Sequence, residues 1–296
     1  MRRICLYGRE SAKFPHGTLV PRSGIAIMLI LVLSHGSSQG AFERLPAGAR
    51  SAALCDALQV SPGELYALEA NPSVLSGVKA PSVGCSYVPG LFGLAELRRL
   101  ELAAAAPLGR GGAGGLIRSF GNDLYREISI TLGYAFDAAE RWSAGLGITA
   151  YNLTIAGYGR AWTLGIHAGA RFRIAEGLLF GASIRNMNRP TLGRSREPIG
   201  AELLAGMQYA PVPSFRLMIG LSREERSVEA VSAGVEMEPA ESVTLRAAAA
   251  ASSYGLGAGV QAAGFRLDYG LVTHLELGMT HHFSITFELP LSPFSQ

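Results

Sequence analysis

Few residues in this sequence have types and spacings that could support chemistry, and each of them has a simpler structural interpretation. Residues 109–114 match the letters GxGxxG of a dinucleotide-binding loop. That loop must open a helix, whereas residues 116–120 have the character of a strand, so we predict a hairpin turn instead. His281 and His282 are neighbours in a strand-like segment and must point to opposite faces, which prevents them from binding one metal ion together.

Other reactive or ligating groups are equally sparse. The sequence contains no recognisable Ser/His/Asp cluster of the kind that nucleophilic catalysis needs, so we predict no enzyme activity. Cys55 and Cys85 are compatible either with a disulfide or with two separate small apolar side chains. Zinc is excluded by the shortage of thiols and the lack of matching histidine spacing. We expect neither a metal nor another cofactor.

The first 40 residues have the organisation of an export signal. Their basic residues give them a charge of +4, and a nine-residue apolar run at residues 25–33 is followed by small residues, with Ser38 and Gly40 at the cleavage positions. We therefore expect residues 1–40 to be a cleaved signal peptide. The whole chain carries +3, which leaves −1 for the remainder. With Lys13 and Lys79 as the only lysines, no phosphate-binding patch for nucleic acid is predicted.

The composition is that of a membrane protein, but without membrane-spanning helices. Hydrophobic residues make up 48% of the chain and charged residues 17%, and the mean hydropathy is +0.23. A spanning helix needs about 20 apolar residues, far more than the nine of the longest purely apolar run. A closed β-barrel is the main alternative, because it satisfies every backbone hydrogen bond within the bilayer.

After Pro81 the chain runs in segments of about ten residues in which large apolar side chains alternate with small or polar ones, as in transmembrane strands. The clearest alternation is at residues 124–136, 161–174 and 278–289. We predict an all-β, transmembrane antiparallel barrel of about 14 strands. These lie near residues 80–88, 95–106, 111–120, 124–136, 141–153, 161–174, 177–187, 199–210, 214–223, 228–238, 242–252, 255–263, 264–272 and 278–289.

The two faces of these strands differ in character. Gly, Ala, Ser and Thr dominate the face predicted to point inward, which leaves room for a path through the barrel. Four inward positions are interpreted as lumen-lining, either as a structural polar interior or as a ligand site: Glu127, His167, Arg171 and Arg173. Four aromatic residues at segment ends are expected to form girdles at the membrane interfaces: Tyr134, Phe136, Trp142 and Trp162.

The connections between the predicted strands support this arrangement. If the chain enters from the periplasm, the links on the periplasmic side are short turns, and the longest link, residues 187–198, lies on the outer side. This link is polar and rich in arginine. We therefore expect a bacterial outer-membrane protein in contact with the lipids of that membrane.

The residues ahead of the barrel, 41–78, have a helical or irregular character, in contrast to the strands of residues 79–296. Ser61 is placed to cap a helix, with Pro62 at its first position and Glu64 three residues on. This part of the chain is thus expected to be a separate, partly helical unit.

Asn71-Pro72 predicts a sharp exit from this unit into the first strand. Proline excludes the helical region for Asn71, and the asparagine side chain can close a turn on its own backbone. An ordinary loop after a helix is the alternative.

Both ends of the mature chain carry recognisable motifs. GARSAALCDA, with Gly48 and Arg50, is followed by NPSVL, with Asn71 and Pro72, and residues 267–287 begin LDYGL and contain LGMTHHFSI. These stretches resemble the "GARAxGMGGA", "NPAxL" and "LDYAY…LGxTHRISL" motifs of the PorV/PorQ family, relatives of FadL-like transporters of hydrophobic compounds. The resemblance implies a 14-stranded barrel with residues 41–78 as an N-terminal hatch.

The resemblance also implies a function. PorV/PorQ-type proteins are non-enzymatic accessory proteins in type IX-like protein secretion or surface assembly, with secreted cargo or secretion-machine proteins as partners. The alternative is a FadL-like passive transporter that takes a small hydrophobic ligand through a hatch-regulated lumen. The predicted outer loops are mostly short, so no deep capture site is evident, which favours the accessory role.

Overall fold

The chain forms a closed antiparallel barrel of 14 strands, which confirms the predicted fold class and strand number. The computed structural model describes residues 40–224 and 230–289, so residues 1–39 of the expected signal peptide lie outside the described residues. The barrel closes by pairing its first strand with its last. Within the described residues no helix is both long and apolar enough to cross a membrane.

The barrel wall and one separate hairpin account for all the described strands. The strands are β1 (Ser82–Val88), β2 (Arg99–Leu108), β3 (Gly111–Gly121), β4 (Tyr125–Ala139), β5 (Trp142–Ile155), β6 (Gly159–Ala175), β7 (Leu178–Arg185), β8 (Thr191–Leu192), β9 (Glu197–Pro198), β10 (Glu202–Val212), β11 (Phe215–Glu224), β12 (Ala230–Ala240), β13 (Val243–Ala250), β14 (Ser253–Ala262), β15 (Phe265–His274) and β16 (Gly278–Glu288). The short strands β8 and β9 pair only with each other and stand outside the wall.

One predicted strand begins later than expected. Residues Ala95–Leu97 form a short 3₁₀ helix, and β2 starts at Arg99. The reason is local, because the amides of Leu94 and Leu97 bond to carbonyls within the preceding link instead of across the sheet.

The two ends of the barrel differ in their links. One end, called the turn end, has two-residue links throughout: residues 109–110, 140–141, 176–177, 213–214, 241–242 and 263–264. The opposite end, called the loop end, has the longest described link, residues 186–201, which contains β8 and β9. The expected hairpin in the GxGxxG stretch is confirmed, since Gly109 takes a φ of +60° between the paired strands β2 and β3.

Side chains alternate between the outside and the lumen, as the sequence pattern predicts. In β16 Met279, Phe283 and Ile285 are exposed on the outer surface, whereas Thr280 and His282 are buried inside. The prediction that His281 and His282 face opposite sides is also confirmed.

The hatch segment, residues 41–78, folds inside the barrel. Helix α1 (Gly48–Ala53) packs against β14, β15 and β16, and the 3₁₀ helix Pro72–Gly77 packs against β3 to β6. A second 3₁₀ helix, Leu65–Leu68, lies between them in the chain. The prediction that Ser61 caps a helix is wrong, because its hydroxyl donates instead to Oε1 of Gln208 in the barrel wall, 2.7 Å away.

Inward glycines of the wall receive the hatch backbone. A Cβ at Gly145 would lie 2.5 Å from the carbonyl carbon of Pro72, and one at Gly257 would lie 2.4 Å from Cβ of Ala53. Cβ atoms do not come this close to other atoms in real structures. These strands can therefore lie this close to the hatch segment only because glycine has no side chain. The small inward residues were expected to leave a path, but at these positions the hatch segment occupies the space.

Candidate functional site

The candidate functional site is the part of the lumen next to β10 to β15, where two cavities lie one above the other. A cavity of about 210 Å³ opens at the loop end, and one of about 470 Å³ opens at the turn end. Residues 54–61 of the hatch segment, called the divider, lie between them. Cys55, Asp56 and Gln59 line the loop-end cavity, whereas Ser61 lines the turn-end cavity.

The divider is held by apolar packing against the wall. Leu54, Ala57 and Leu58 form a buried cluster with Met218 of β11. The divider also contains two consecutive residues with positive φ, Cys55 at 45° and Asp56 at 64°. Left-handed backbone at non-glycine residues costs about 1–2 kcal/mol each, so the segment that separates the cavities is strained.

Contacts of Asp56 hold this strained turn. Its Oδ1 accepts a hydrogen bond of 2.7 Å from the Ser51 hydroxyl, and its Oδ2 pairs with Arg44. Arg44 also donates from Nε to both carboxylate oxygens of Glu202 in β10, at 2.8 and 2.9 Å. The turn is thus connected through one arginine to the barrel wall.

The lining of the loop-end cavity is rich in carboxylates. Among the described residues its charged lining consists of four carboxylates and two guanidinium groups: Glu43, Asp56, Glu202, Glu224, Arg44 and Arg185. Burial raises the pKa of the Glu43 carboxyl, and the neighbouring carboxylates of Glu224, Glu127 and Glu202 raise it further. The raised pKa of Glu43 therefore reflects burial first and the neighbouring carboxylates second.

The lining of the turn-end cavity is rich in cations, some of which pair with Glu64 and Asp268 just outside the lining. Its charged lining, in the part of the chain that the structure describes, consists of five cations and three carboxylates: Arg50, Lys79, Arg216, Arg246, Arg266, Glu236, Glu238 and Glu288. Glu236 lies at the centre of this group and accepts hydrogen bonds of 2.7 to 2.9 Å from Arg50, Arg216 and Arg246.

Arg50 is the main anchor of helix α1. Its guanidinium group makes a two-point contact with Glu236, with Nε to Oε2 at 2.7 Å and Nη2 to Oε1 at 2.8 Å. Its Nη1 donates to Glu64 Oε2 at 2.6 Å. Both carboxylates are almost fully buried, so this one side chain neutralises charge on the wall and on the hatch segment together.

Glu69 anchors the other half of the hatch segment. Its two oxygens accept hydrogen bonds of 2.8 Å from Arg118 of β3 and Arg185 of β7. Burial alone would raise the pKa of Glu69, but the two guanidinium groups outweigh it and hold the pKa well below the ordinary value of 4.5. The charged form is therefore the stable one in the assembled barrel.

Gly48 and Asn71-Pro72, residues of the hatch motif, make specific contacts. The amide of Gly48 donates to Glu101 in β2 at 2.9 Å. Asn71 Oδ1 accepts from the Ser73 amide at 3.1 Å, which confirms that this side chain closes a turn on its own backbone. Pro72 then begins a 3₁₀ helix, so the first strand starts ten residues later than a direct exit at Asn71-Pro72 would place it.

The predicted lumen-lining residues all point inward, but they do not form one site. Glu127 accepts from the Phe42 amide at 3.0 Å, and Arg171 donates to Ser76 at 2.9 Å, so both bind the hatch segment. Arg173 is exposed near the turn end. His167 is fully buried, with Nε2 2.7 Å from the Thr149 hydroxyl and Nδ1 accepting from the Asn186 amide.

The predicted girdle residues lie on the outer surface. Tyr134, Phe136 and Trp142 are exposed near the turn end of β4 and β5, and Trp162 is exposed on β6 towards the loop end.

Cys55 and Cys85 are both free thiols. The disulfide alternative is therefore not realised in the structure.

Sequence reasoning missed most of the buried charges that hold the hatch segment. These are Arg44, Glu64, Glu69, Arg99, Glu101, Arg118, Arg185, Glu202 and Glu236, and Arg246 and Asp268 extend the network within the wall. Those on strands occupy inward positions of the alternating pattern, which is the signal that could have identified them. Which of these residues pair with each other across the lumen cannot be predicted from their spacing in the sequence.

Comparison with known proteins gives matches by fold only, since the chain matches no protein-family profile and no curated protein by sequence. The toluene transporter TbuX of Ralstonia pickettii has a TM-score of 0.62 at 12% identity, over 82% of this chain and 98% of its own. The CymD monoaromatic hydrocarbon channel has a TM-score of 0.63 at 12% identity, over 85% and 100%. A FadL homologue of Pseudomonas aeruginosa has 0.62 at 10%, over 84% and 100%.

These likenesses show that the chain has the fold of FadL-type barrels. They lend no support to the narrower PorV/PorQ resemblance.

Proposed function

We propose that this chain is a non-enzymatic bacterial outer-membrane channel that passes small hydrophobic compounds passively, with the hatch segment as the element that must move. Structures of the same fold are described as a toluene transporter and a monoaromatic hydrocarbon channel. This favours the transport alternative over the accessory role in secretion.

The observation that carries the proposal is the position of the divider between two cavities that open at opposite ends of the barrel. One cavity opens at each end of the barrel, and residues 54–61 lie between them. The divider is strained at Cys55 and Asp56 and is held by a small apolar cluster and by polar contacts of Asp56 and Ser61. A displacement of this short segment would join the cavities without opening the barrel wall.

The outer surface supports a position in the outer membrane. Large apolar side chains are exposed on nearly every strand, and aromatic residues lie near both ends. In water such a surface would be an aggregation hazard, whereas lipid covers it. We place the turn end in the periplasm, with residues 1–40 as the export signal that is removed on the way.

Uptake in cells tests the proposal. Bacteria that lack their own channel of this type would express the chain, and entry of radiolabelled toluene and of a long-chain fatty acid would be compared with cells carrying an empty vector. Faster entry of either compound supports a channel. Entry equal to that of the empty-vector cells, together with a stable protein partner after mild detergent extraction, would instead favour the accessory role.

A further inference from the structure

A groove on the outer surface of the barrel crosses the seam where β1 pairs with β16. Its volume is about 580 Å³, which is within the range of about 300–1,000 Å³ that is usual for small-molecule sites. Six of its lining side chains occupy outward positions of β1, β15 and β16: Cys85, Tyr87, Leu267, Tyr269, Phe283 and Ile285. The groove therefore faces away from the lumen and is distinct from the two cavities inside the barrel.

A polar pair lies at the loop-end side of this groove. The hydroxyl of Tyr269 and Nδ1 of His281 are 2.8 Å apart and share one hydrogen bond. Apolar side chains surround the pair, since Met279 and Phe283 are exposed on the same face of β16. Leu271 is the cross-strand neighbour of His281. The pair is thus a polar point within an apolar surface.

One hydrogen-bond donor of this pair is left over. When Tyr269 donates to His281, Nε2 of the histidine carries the ring proton; when Nδ1 donates, the proton of the tyrosine hydroxyl is unused. Within the described residues these two side chains make no other hydrogen bond. A polar group without a partner is costly in hydrocarbon, so an acceptor from outside the chain would stabilise the arrangement.

The depth of the pair matches that of the carbonyl groups of lipids. His281 is three residues from the loop-end start of β16 at Gly278, which is about 10 Å along a strand. The tilt of barrel strands reduces this to roughly 8 Å of depth, close to the boundary between hydrocarbon and head groups. Leu267 and Ile285 lie further towards the turn end, so the groove extends from the pair towards the middle of the membrane.

We propose that this groove binds one acyl chain of a membrane lipid from the leaflet at the loop end. The chain lies along Leu267, Ile285 and Cys85. Its ester carbonyl oxygen accepts the hydrogen bond that the Tyr269–His281 pair has left over. This inference uses the position of the outer surface in a membrane but not transport, so failure of the channel function would leave it intact.

Cys85 is a natural reporter of occupancy, because it lines the groove and is a free thiol. The whole chain with Cys5→Ser and Cys55→Ser would be purified in dodecyl maltoside, a detergent without a carbonyl group, and labelled with N-ethylmaleimide. The probes are dipalmitoyl phosphatidylethanolamine, with ester-linked chains, and dihexadecyl phosphatidylethanolamine, with ether-linked chains. We expect the ester lipid to slow labelling. The ether lipid should need about fivefold higher concentration for equal protection, which corresponds to about 1 kcal/mol for one hydrogen bond.

Substitutions separate the groove from the polar pair. Tyr269→Phe/His281→Phe keeps two aromatic rings but removes the donor, so the two lipids should protect Cys85 at the same concentration. Ala258→Leu fills the groove and should remove protection by either lipid. Ala233→Leu is the matched control, because Ala233 is exposed on the outer face of β12 and does not line the groove. A change of gel mobility on heating reports that each variant has formed its barrel.

Two results in the parent protein would overturn the proposal, and neither depends on the assembly of a variant. Labelling of Cys85 at the same rate with and without the ester lipid would mean that no acyl chain occupies the groove. Equal protection by the ester and ether lipids would mean that the polar pair does not bind the carbonyl oxygen.

Discussion

Replacement of Arg50 by methionine should release helix α1 from the barrel wall. Methionine keeps the length and apolar stem of the side chain but removes its three hydrogen bonds to Glu64 and Glu236. Glu236 keeps Arg246 at 2.7 Å and Arg216 at 2.9 Å. Glu64 loses its guanidinium partner while its side chain remains 1% exposed, so the cost falls mainly on Glu64.

The size of this effect follows from the cost of an uncompensated buried charge. Removal of one partner from a buried ion pair costs about 3–5 kcal/mol, which raises the population of the undocked helix roughly 150- to 5,000-fold. Glu64→Gln removes the stranded charge. The double variant Arg50→Met/Glu64→Gln should therefore recover most of the loss, which makes the two substitutions strongly non-additive.

Thiol labelling of Cys55 measures the undocking, because this residue lies two positions after the end of α1 and is only 9% exposed. In a background with Cys5→Ser and Cys85→Ser, the labelling rate should rise steeply for Arg50→Met and fall back for the double variant. Arg126→Met is the matched control, since Arg126 pairs with Asp123 on the exposed surface and should change nothing. Equal labelling of Arg50→Met and the parent, or no recovery in the double variant, would refute the reasoning.

Three further predictions concern other contacts of the hatch segment. The pKa of Glu69 is lowered in the assembled barrel, so this residue stabilises docking above about pH 4.5 and loses the effect as pH falls below it. Amide exchange of residues 65–71 should therefore accelerate on acidification. The acceleration should be smaller in Glu69→Gln. Gly257→Ala places a methyl group 2.4 Å from Cβ of Ala53 and should raise Cys55 labelling; Ala53→Gly in addition should lower it again only in part, because the Tyr269 carbonyl oxygen still lies 2.7 Å from that methyl group. Asn71→Ala removes buried hydrogen bonds worth about 1–3 kcal/mol and should lower the thermal midpoint, with Asn71→Ser intermediate.

The barrel was predictable from the sequence because each strand faces two different environments. In β16 the exposed residues Phe283 and Ile285 and the buried residues Ser284 and Thr286 alternate as the period of a strand requires, and this local signal needs no knowledge of the fold. Link lengths added independent information, since two-residue turns occur throughout one end.

The interior was predicted less well because its order depends on contacts between distant residues. Gly145 and Gly257 looked like open space, yet they are small because the hatch backbone lies against them. Ser61 carries the local signature of a helix cap, but a bond to Gln208 of the wall replaces that role. The pairing of Arg50 with Glu236 joins residues 186 positions apart, which no spacing rule can reveal.

The motif residues explain why the resemblance predicted the fold better than the function. Gly48 and Arg50 bind the barrel wall, and Asn71 makes hydrogen bonds within the hatch segment. These are requirements of packing a hatch into a 14-stranded wall. They are therefore compatible with any activity that such a barrel supports.

A reversible crosslink between the divider and the wall tests the gating hatch most directly. A Cβ at Gly206 would lie 3.7 Å from Cβ of Gln59, close to the ~3.8 Å of disulfides. We would measure toluene uptake by cells that express Gln59→Cys/Gly206→Cys with the native cysteines replaced by serine, with Gln59→Ser/Gly206→Ser as the control. The account predicts that oxidation abolishes channel-dependent uptake and that a reductant restores it. Equal uptake in the crosslinked and reduced states would contradict it.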